Sequence, residues 1–102
     1  MAALWLQLHG WQILGKRVKT RRGEVDLIAR RGRVLTFVEV KTRGSAEGLA
    51  TAIDEYRLRR VVAAAEALLP RYGRGVENVR IDVMLVRPWR WPVHLENVWH
   101  GF

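Results

Sequence analysis

The stretch from Glu24 to Lys41 constrains the fold more tightly than any other part of the chain. Between Glu24 and Arg30 the residues alternate, with Val25, Leu27 and Ala29 to one side and Glu24, Asp26 and Ile28 to the other. Arg31-Gly32 supplies turn chemistry. From Val34 to Lys41 the alternation resumes, setting Val34, Thr36, Val38 and Val40 against Leu35, Phe37, Glu39 and Lys41. A period of two is the signature of a strand, and two such runs about a glycine-bearing turn predict a β-hairpin.

The hairpin gathers charge in an apolar setting. With the turn centred on Arg31-Gly32, Asp26 falls opposite roughly Phe37, and Glu39 is its diagonal neighbour on the same face. Lys41 lies two residues beyond Glu39 and shares that face. Leu27, Ile28, Phe37 and Val38 surround the acids. Two carboxylates so placed repel unless a positive charge sits between them. A divalent cation supplies it, and hard oxygen ligands favour Mg²⁺ or Mn²⁺ over zinc. Such an ion can bind a scissile phosphate and lower the pKa of an attacking water, with Lys41 holding the water or the phosphate. The alternative is an internal salt bridge, Lys41 pairing with Glu39 or Asp26 on a solvated sheet face.

Net charge points the same way. Eighteen Lys and Arg against ten Asp and Glu give +8 over 102 residues, and Arg predominates. The guanidinium fork matches phosphate, so nucleic acid is the expected partner, although a compositional bias toward Arg accounts for the charge equally well. Without cysteine there are neither disulfides nor thiolate metal sites, which suits a reducing cytosol. No apolar run approaches the ~18 residues of a membrane span, and the first residues lack the features of a secretory signal. A cytoplasmic protein with no membrane partner is expected.

The remaining elements frame the hairpin. Ala2–His9 reads as the tail of an amphipathic helix stopped by Gly10, and Gln12–Val18 as a short strand suited to a sheet edge. Arg43–Gly48 is a polar loop. Asp54 caps a helix to about Leu69 with a stripe of Leu58, Val61, Val62, Ala65, Leu68 and Leu69, closed by Pro70 and Gly73. Val79–Val86 and Val93–Val98 complete the strands, joined by Pro88-Trp89-Arg90-Trp91-Pro92. The order α-β-β-β-α-β-β implies one domain over residues 1–102, a mixed sheet with a crossover helix between the third and fourth strands. Asp82 is expected in a structural hydrogen bond or ion pair. His9, His94 and His100 have no partner acid in sequence and read as lone histidines. Trp89 and Trp91 are expected to pack against the sheet or a second copy, rather than to stack on bases.

Gly23 to Arg43, GEVDLIARRGRVLTFVEVKTR, resembles the signature of the bacterial YraN family of endonuclease-like proteins. That family is similar to archaeal Holliday junction resolvases and to the wider PD-(D/E)XK nuclease superfamily. The resemblance extends to GWQIL (Gly10–Leu14), AIDEYRLRR (Ala52–Arg60), RIDV (Arg80–Val83) and the terminal HLENVWHGF. It implies a restriction-endonuclease-like α/β fold and a Mg²⁺- or Mn²⁺-dependent endonuclease acting on DNA, branched or structured DNA included. By position, Asp26 and Glu39 are the implied metal-binding acids, Lys41 the catalytic lysine, and the Val40 carbonyl a further ligand. Glu24 matches the acid of the family's GExD segment, in a supporting role. Arg21, Arg22, Arg43 and Arg57 are the implied phosphate contacts, and a homodimer follows from the resolvase analogy. The chain departs from the family pattern twice: the usual first-helix glutamate is absent, which reads as a first helix shortened at its start, and the usual helix lysine is Arg57. A protein that binds nucleic acid and keeps the fold without cutting is the rival expectation.

Overall fold

A computed structural model gives the fold of residues 1–42 and 55–99. The elements run α1 (Ala2–Leu8), β1 (Gln12–Thr20), β2 (Gly23–Arg31), β3 (Val34–Lys41), α2 (Glu55–Tyr72), β4 (Asn78–Leu85) and β5 (Val93–Leu95). The five strands form one sheet in chain order, β1-β2-β3-β4-β5. All neighbours are antiparallel except β3 and β4, which are parallel and joined through α2. This is the mixed α/β sheet and the element order expected from the sequence.

The two faces of the sheet carry separate cores. Under α2, Val25, Ile28, Leu35, Phe37, Ile81 and Val83 meet Leu58, Val61, Ala64, Ala65 and Leu68 of the helix. On the opposite face Leu27, Ala29, Val38 and Met84 meet Ala2 and Leu6 of α1, with Trp11 beside them. Burial on both sides explains why β3 is apolar almost throughout. It is the third of five strands and has a helix above and below.

Three boundaries differ from expectation by two or three residues. β1 runs to Thr20, because Thr20 Oγ1 accepts hydrogen bonds from the Arg22 and Gly23 amides and folds the chain into β2. α2 continues through Pro70 to Tyr72. Proline lacks only the amide that would bond Glu66, and the Gly73 N–H closes the last turn on the Leu69 carbonyl at 2.7 Å. β5 stops at Leu95, although the Val98 amide still reaches the Ile81 carbonyl at 2.8 Å. The expected Asp54 cap and the Arg43–Gly48 loop lie outside the described residues.

The hairpin register also differs. The closing pair is Arg31 with Val34, so the two-residue loop is Gly32-Arg33 and not Arg31-Gly32. Gly32 has φ 61°, the position at which a type II′ turn needs glycine. Moving the turn by one residue moves every cross-strand partner by two. Phe37 therefore faces Ile28, Val38 faces Leu27, and Glu39 falls at the level of Asp26.

Strict alternation fails within β2 as well. Val25 packs under α2 with Ile28, whereas Leu27 and Ala29 face α1. The face changes between Val25 and Leu27, opposite Arg17 of β1, whose φ is 49°. Asp26 sits at this kink.

The start of β2 also lies hard against the crossover helix. A Cβ on Gly23 would stand 2.7 Å from the Arg60 carbonyl oxygen, a backbone atom that cannot swing aside. Gly23→Ala is expected to cost about 1–3 kcal/mol, the scale of overpacking, and thermal denaturation of the variant measures it.

Candidate active site

Asp26 reaches its position because the backbone ladder between β2 and β3 ends at Leu27 and Val38. Past that point its carboxylate takes over the pairing, and Oδ2 accepts the Val40 amide at 2.8 Å. The Lys41 carbonyl accepts the Val86 amide at 2.7 Å on the β4 side. Backbone groups alternate in direction along a strand, so the Val40 N–H and C=O both face β2 and the Asp26 carboxylate.

Glu39 and Lys41 point from β3 toward the face covered by α2, in step with Phe37. Lys41 Nζ lies 3.2 Å from Glu39 Oε1, and both side chains are nearly buried, 11% and 15% exposed. The expected salt bridge is therefore present. It satisfies only half of the Glu39 carboxylate: Oε2 is buried and has no hydrogen-bond partner among the described residues. A buried carboxylate oxygen without a partner is costly, and a positive ligand is one group that relieves it, as is a hydrogen-bond donor.

The other expected residues distribute around this end of the sheet. Antiparallel pairing puts the start of β2 beside the end of β3, so Arg21 and Arg22, in the β1–β2 turn, lie at the end that holds Asp26 and Lys41. Both are exposed, and the Arg22 guanidinium makes a long contact, 3.8 Å, with Glu66 of α2. Arg57 is exposed in the first turns of α2, the part of the helix that packs beside Gly23. Glu24 is exposed and pairs across to Lys19 of β1. Arg43 lies outside the described residues. No group of three or more His, Cys, Asp or Glu able to hold a metal occurs among the described residues.

Asp82 belongs to the other face. It is fully buried, accepting from Arg80 at 2.7 Å, from His94 Nε2 at 2.8 Å and from the Asn97 amide at 2.8 Å. Burial works to raise its pKa, but the bonds from His94, Arg80 and Asn97, together with the Arg80 charge, hold the carboxyl below the ordinary carboxylate range. An ionised carboxylate only accepts, so His94 Nε2 carries the proton. This corrects the expectation that His94 has no acid partner. Asp82 alternates with Ile81 and Val83, and that alternation was the available signal, but nothing in local spacing links residues 82 and 94.

The protein is thus a mixed five-stranded α/β sheet with helices on both faces, and Asp26 and Glu39 lie at one end of its inner strands. The chain matches Hjc, a Holliday junction resolvase of Archaeoglobus fulgidus, with a TM-score of 0.58 over 93% of this chain and 72% of that one. Identity is 20%, so the likeness is one of fold. The chain belongs to the UPF0102 family, described as an uncharacterised protein family, whose model matches residues 1–86. A UPF0102 protein of Rhizorhabdus wittichii is 86% identical over 99% of this chain and 86% of its own length. Another, of Sphingopyxis alaskensis, is 59% identical over 96% of this chain and 84% of its own. Family and fold together meet the expectation of a YraN-type, nuclease-fold protein.

Proposed function

We propose that the protein is a Mg²⁺- or Mn²⁺-dependent endonuclease acting on DNA, with branched or structured DNA as its substrate class. The observation that carries this is the unpartnered, buried Glu39 Oε2 at the level of an Asp26 carboxylate pinned by the Val40 amide. The donor set fits a hard divalent cation: Asp26, Glu39 and the Val40 carbonyl would hold it, with Glu24 as an outer partner. When bound, the ion supplies positive charge to the scissile phosphate and a lowered pKa to the attacking water.

The protein's own groups do the rest. Glu39 holds the Lys41 ammonium close to the two acids, where it orients the attacking water or a phosphate oxygen. Arg21, Arg22, Arg43 and Arg57 grip the backbone, and the long Arg22–Glu66 contact is weak enough to yield to a phosphate. A four-way junction offers two strands to cut, so a two-fold homodimer belongs to this proposal. The cytoplasm, where such DNA is found, is the proposed place of action.

A second possibility is a binding protein that retains the fold without cutting. The closed Lys41–Glu39 pair, with both side chains nearly buried, favours it. Incubation with Mg²⁺ or Mn²⁺ and duplex, single-stranded or four-way DNA separates the two. Cleavage lost in Lys41→Ala supports the enzyme, whereas cleavage surviving in Lys41→Ala and Asp26→Ala marks a contaminant. Either way, contacts to six or more phosphates should cost roughly 10³-fold in affinity between 50 and 200 mM salt. An affinity indifferent to salt excludes nucleic acid.

A further inference from the structure

Past Lys41 and Leu85 the ends of β3 and β4 run into a groove of about 900 Å³, walled by α1 and the segment from Pro88 to Pro92. Its surface joins apolar and cationic groups: Trp5, Trp89 and Trp91 with Arg87 and Arg90, and no acid is among the described residues that line it. The volume lies near the top of the ~300–1,000 Å³ range of small-ligand sites, with room for more than one planar ring.

Trp89 and Trp91 do not pack against the sheet, one of the two placements expected for them beside a contact with a second copy. Trp89 is fully exposed and Trp91 is 78% exposed. Trp89 also has φ 61°, a conformation that a bulky residue adopts only under strain. Folding thus spends backbone strain and hydrophobic surface on an indole left open to solvent among the described residues. Trp91 is braced from one side: its ring centroid is 5.7 Å from that of Trp5, which stands 4.2 Å from the His9 ring. His9 Nδ1 in turn lies 2.7 Å from the Trp5 carbonyl. The result is a shelf of aromatic faces, stiff on one side and open on the other. Arg87 adds a buried Nε with no acceptor among the described residues.

We infer that this groove binds unpaired bases of a nucleic acid strand, stacking them on Trp89 and Trp91 while Arg87 and Arg90 meet the flanking phosphates. Exposed indoles interleaved with arginines are the chemistry that holds single strands, because every base has a face to stack and every linkage an anion. Charge decides the occupant: a groove with arginines and no acid among its described lining residues, on a chain of net charge +8, complements a polyanion. Position agrees. Thr42 and Val86 line the groove, Thr42 directly follows Lys41, and the Val86 amide bonds the Lys41 carbonyl. A strand whose duplex part lies at Asp26 and Glu39 can place its unpaired bases here. The inference rests on the proposed nucleic-acid function and adds the unpaired region as the element recognised.

The test is equilibrium binding of fluorescein-labelled oligothymidylate and of a blunt duplex to the full chain and to Trp89→Ala/Trp91→Ala. The expected result is a 10- to 100-fold loss of oligothymidylate affinity in the double variant, the size of one or two base stacks, with duplex affinity changed less than about twofold. Exposed side chains are removed, so folding is retained, and circular dichroism checks it. Unchanged oligothymidylate affinity overturns the inference while duplex binding keeps the proposed function intact. Sedimentation completes that outcome, since a dimer lost under the same substitutions assigns the groove to a second copy. A wild-type chain that binds neither strand overturns both.

Discussion

Asp26→Asn is expected to abolish most cleavage while leaving the fold in place. The amide oxygen of asparagine can still accept the Val40 N–H, so the link that ends the β2–β3 ladder survives. What is lost is the negative charge, and with it the proposed sharing of a cation with Glu39. A fall of at least ~10²-fold in the cleavage rate is expected, comparable to removing one electrostatic contact to a transition state. Asp26→Ala should match it in rate but differ in stability. It strands the Val40 amide, at a cost of about 1–3 kcal/mol. Rates on four-way DNA, read with thermal melts of both variants, give the comparison. Equal stability of Asn and Ala variants would mean the Val40 bond contributes nothing, and full activity in Asp26→Asn would remove Asp26 from the site.

Asp82→Ala carries the largest expected loss of stability. The carboxylate is wholly buried and anchors Arg80, His94 and the turn at Asn97. Removing it leaves Arg80 with its exposed Glu96 contact and faces over Trp11, and nothing for His94 Nε2. Breaking a buried pair of this kind costs about 3–5 kcal/mol, a large part of the ~5–15 kcal/mol that holds a domain together. For a chain of this size the melting temperature should drop by at least ~12 °C. The acid limb of stability carries a second signature. The folded carboxyl titrates below its unfolded value of ~3.9, so its contribution is complete above about pH 4 and is lost as pH falls through the folded value. Wild-type stability should therefore fall more steeply there than that of the variant, as urea titrations at several pH values would show.

How much of this was legible in the sequence depends on the range of the signal. The alternation of Glu24–Lys41 identified both inner strands, and the stripe from Leu58 to Leu69 identified the crossover helix, because each pattern is local and repeats several times. The register failed because it hangs on one turn. Gly32 had to be the first loop residue and not the second, and Arg31, Gly32 and Arg33 all tolerate a turn. That single residue converts Asp26 and Glu39 from diagonal neighbours into residues at one level of the hairpin. The left-handed backbone at Arg17 was equally hidden, since a lysine- and arginine-rich strand gives no hint of a kink. The Asp82–His94 bond joins strands that only the fold makes neighbours. Trp89 shows the opposite limit: the sequence allowed packing on the sheet or on a second copy, and the backbone turns the indole away from the sheet.

The kink at Arg17 has a consequence for assembly. β1 is nine residues long and lies at the open edge of the sheet, where unpaired amides and carbonyls invite another strand. An irregular register between Ile13 and Gly15, a left-handed residue at Arg17 and the exposed charges of Lys16, Arg17 and Lys19 spoil that edge as a template. Sheet-to-sheet joining through β1, the shortest route from a monomer to an aggregate, is disfavoured by the same backbone that aims Asp26. The homodimer that belongs to the proposed function is expected to form through a surface other than β1.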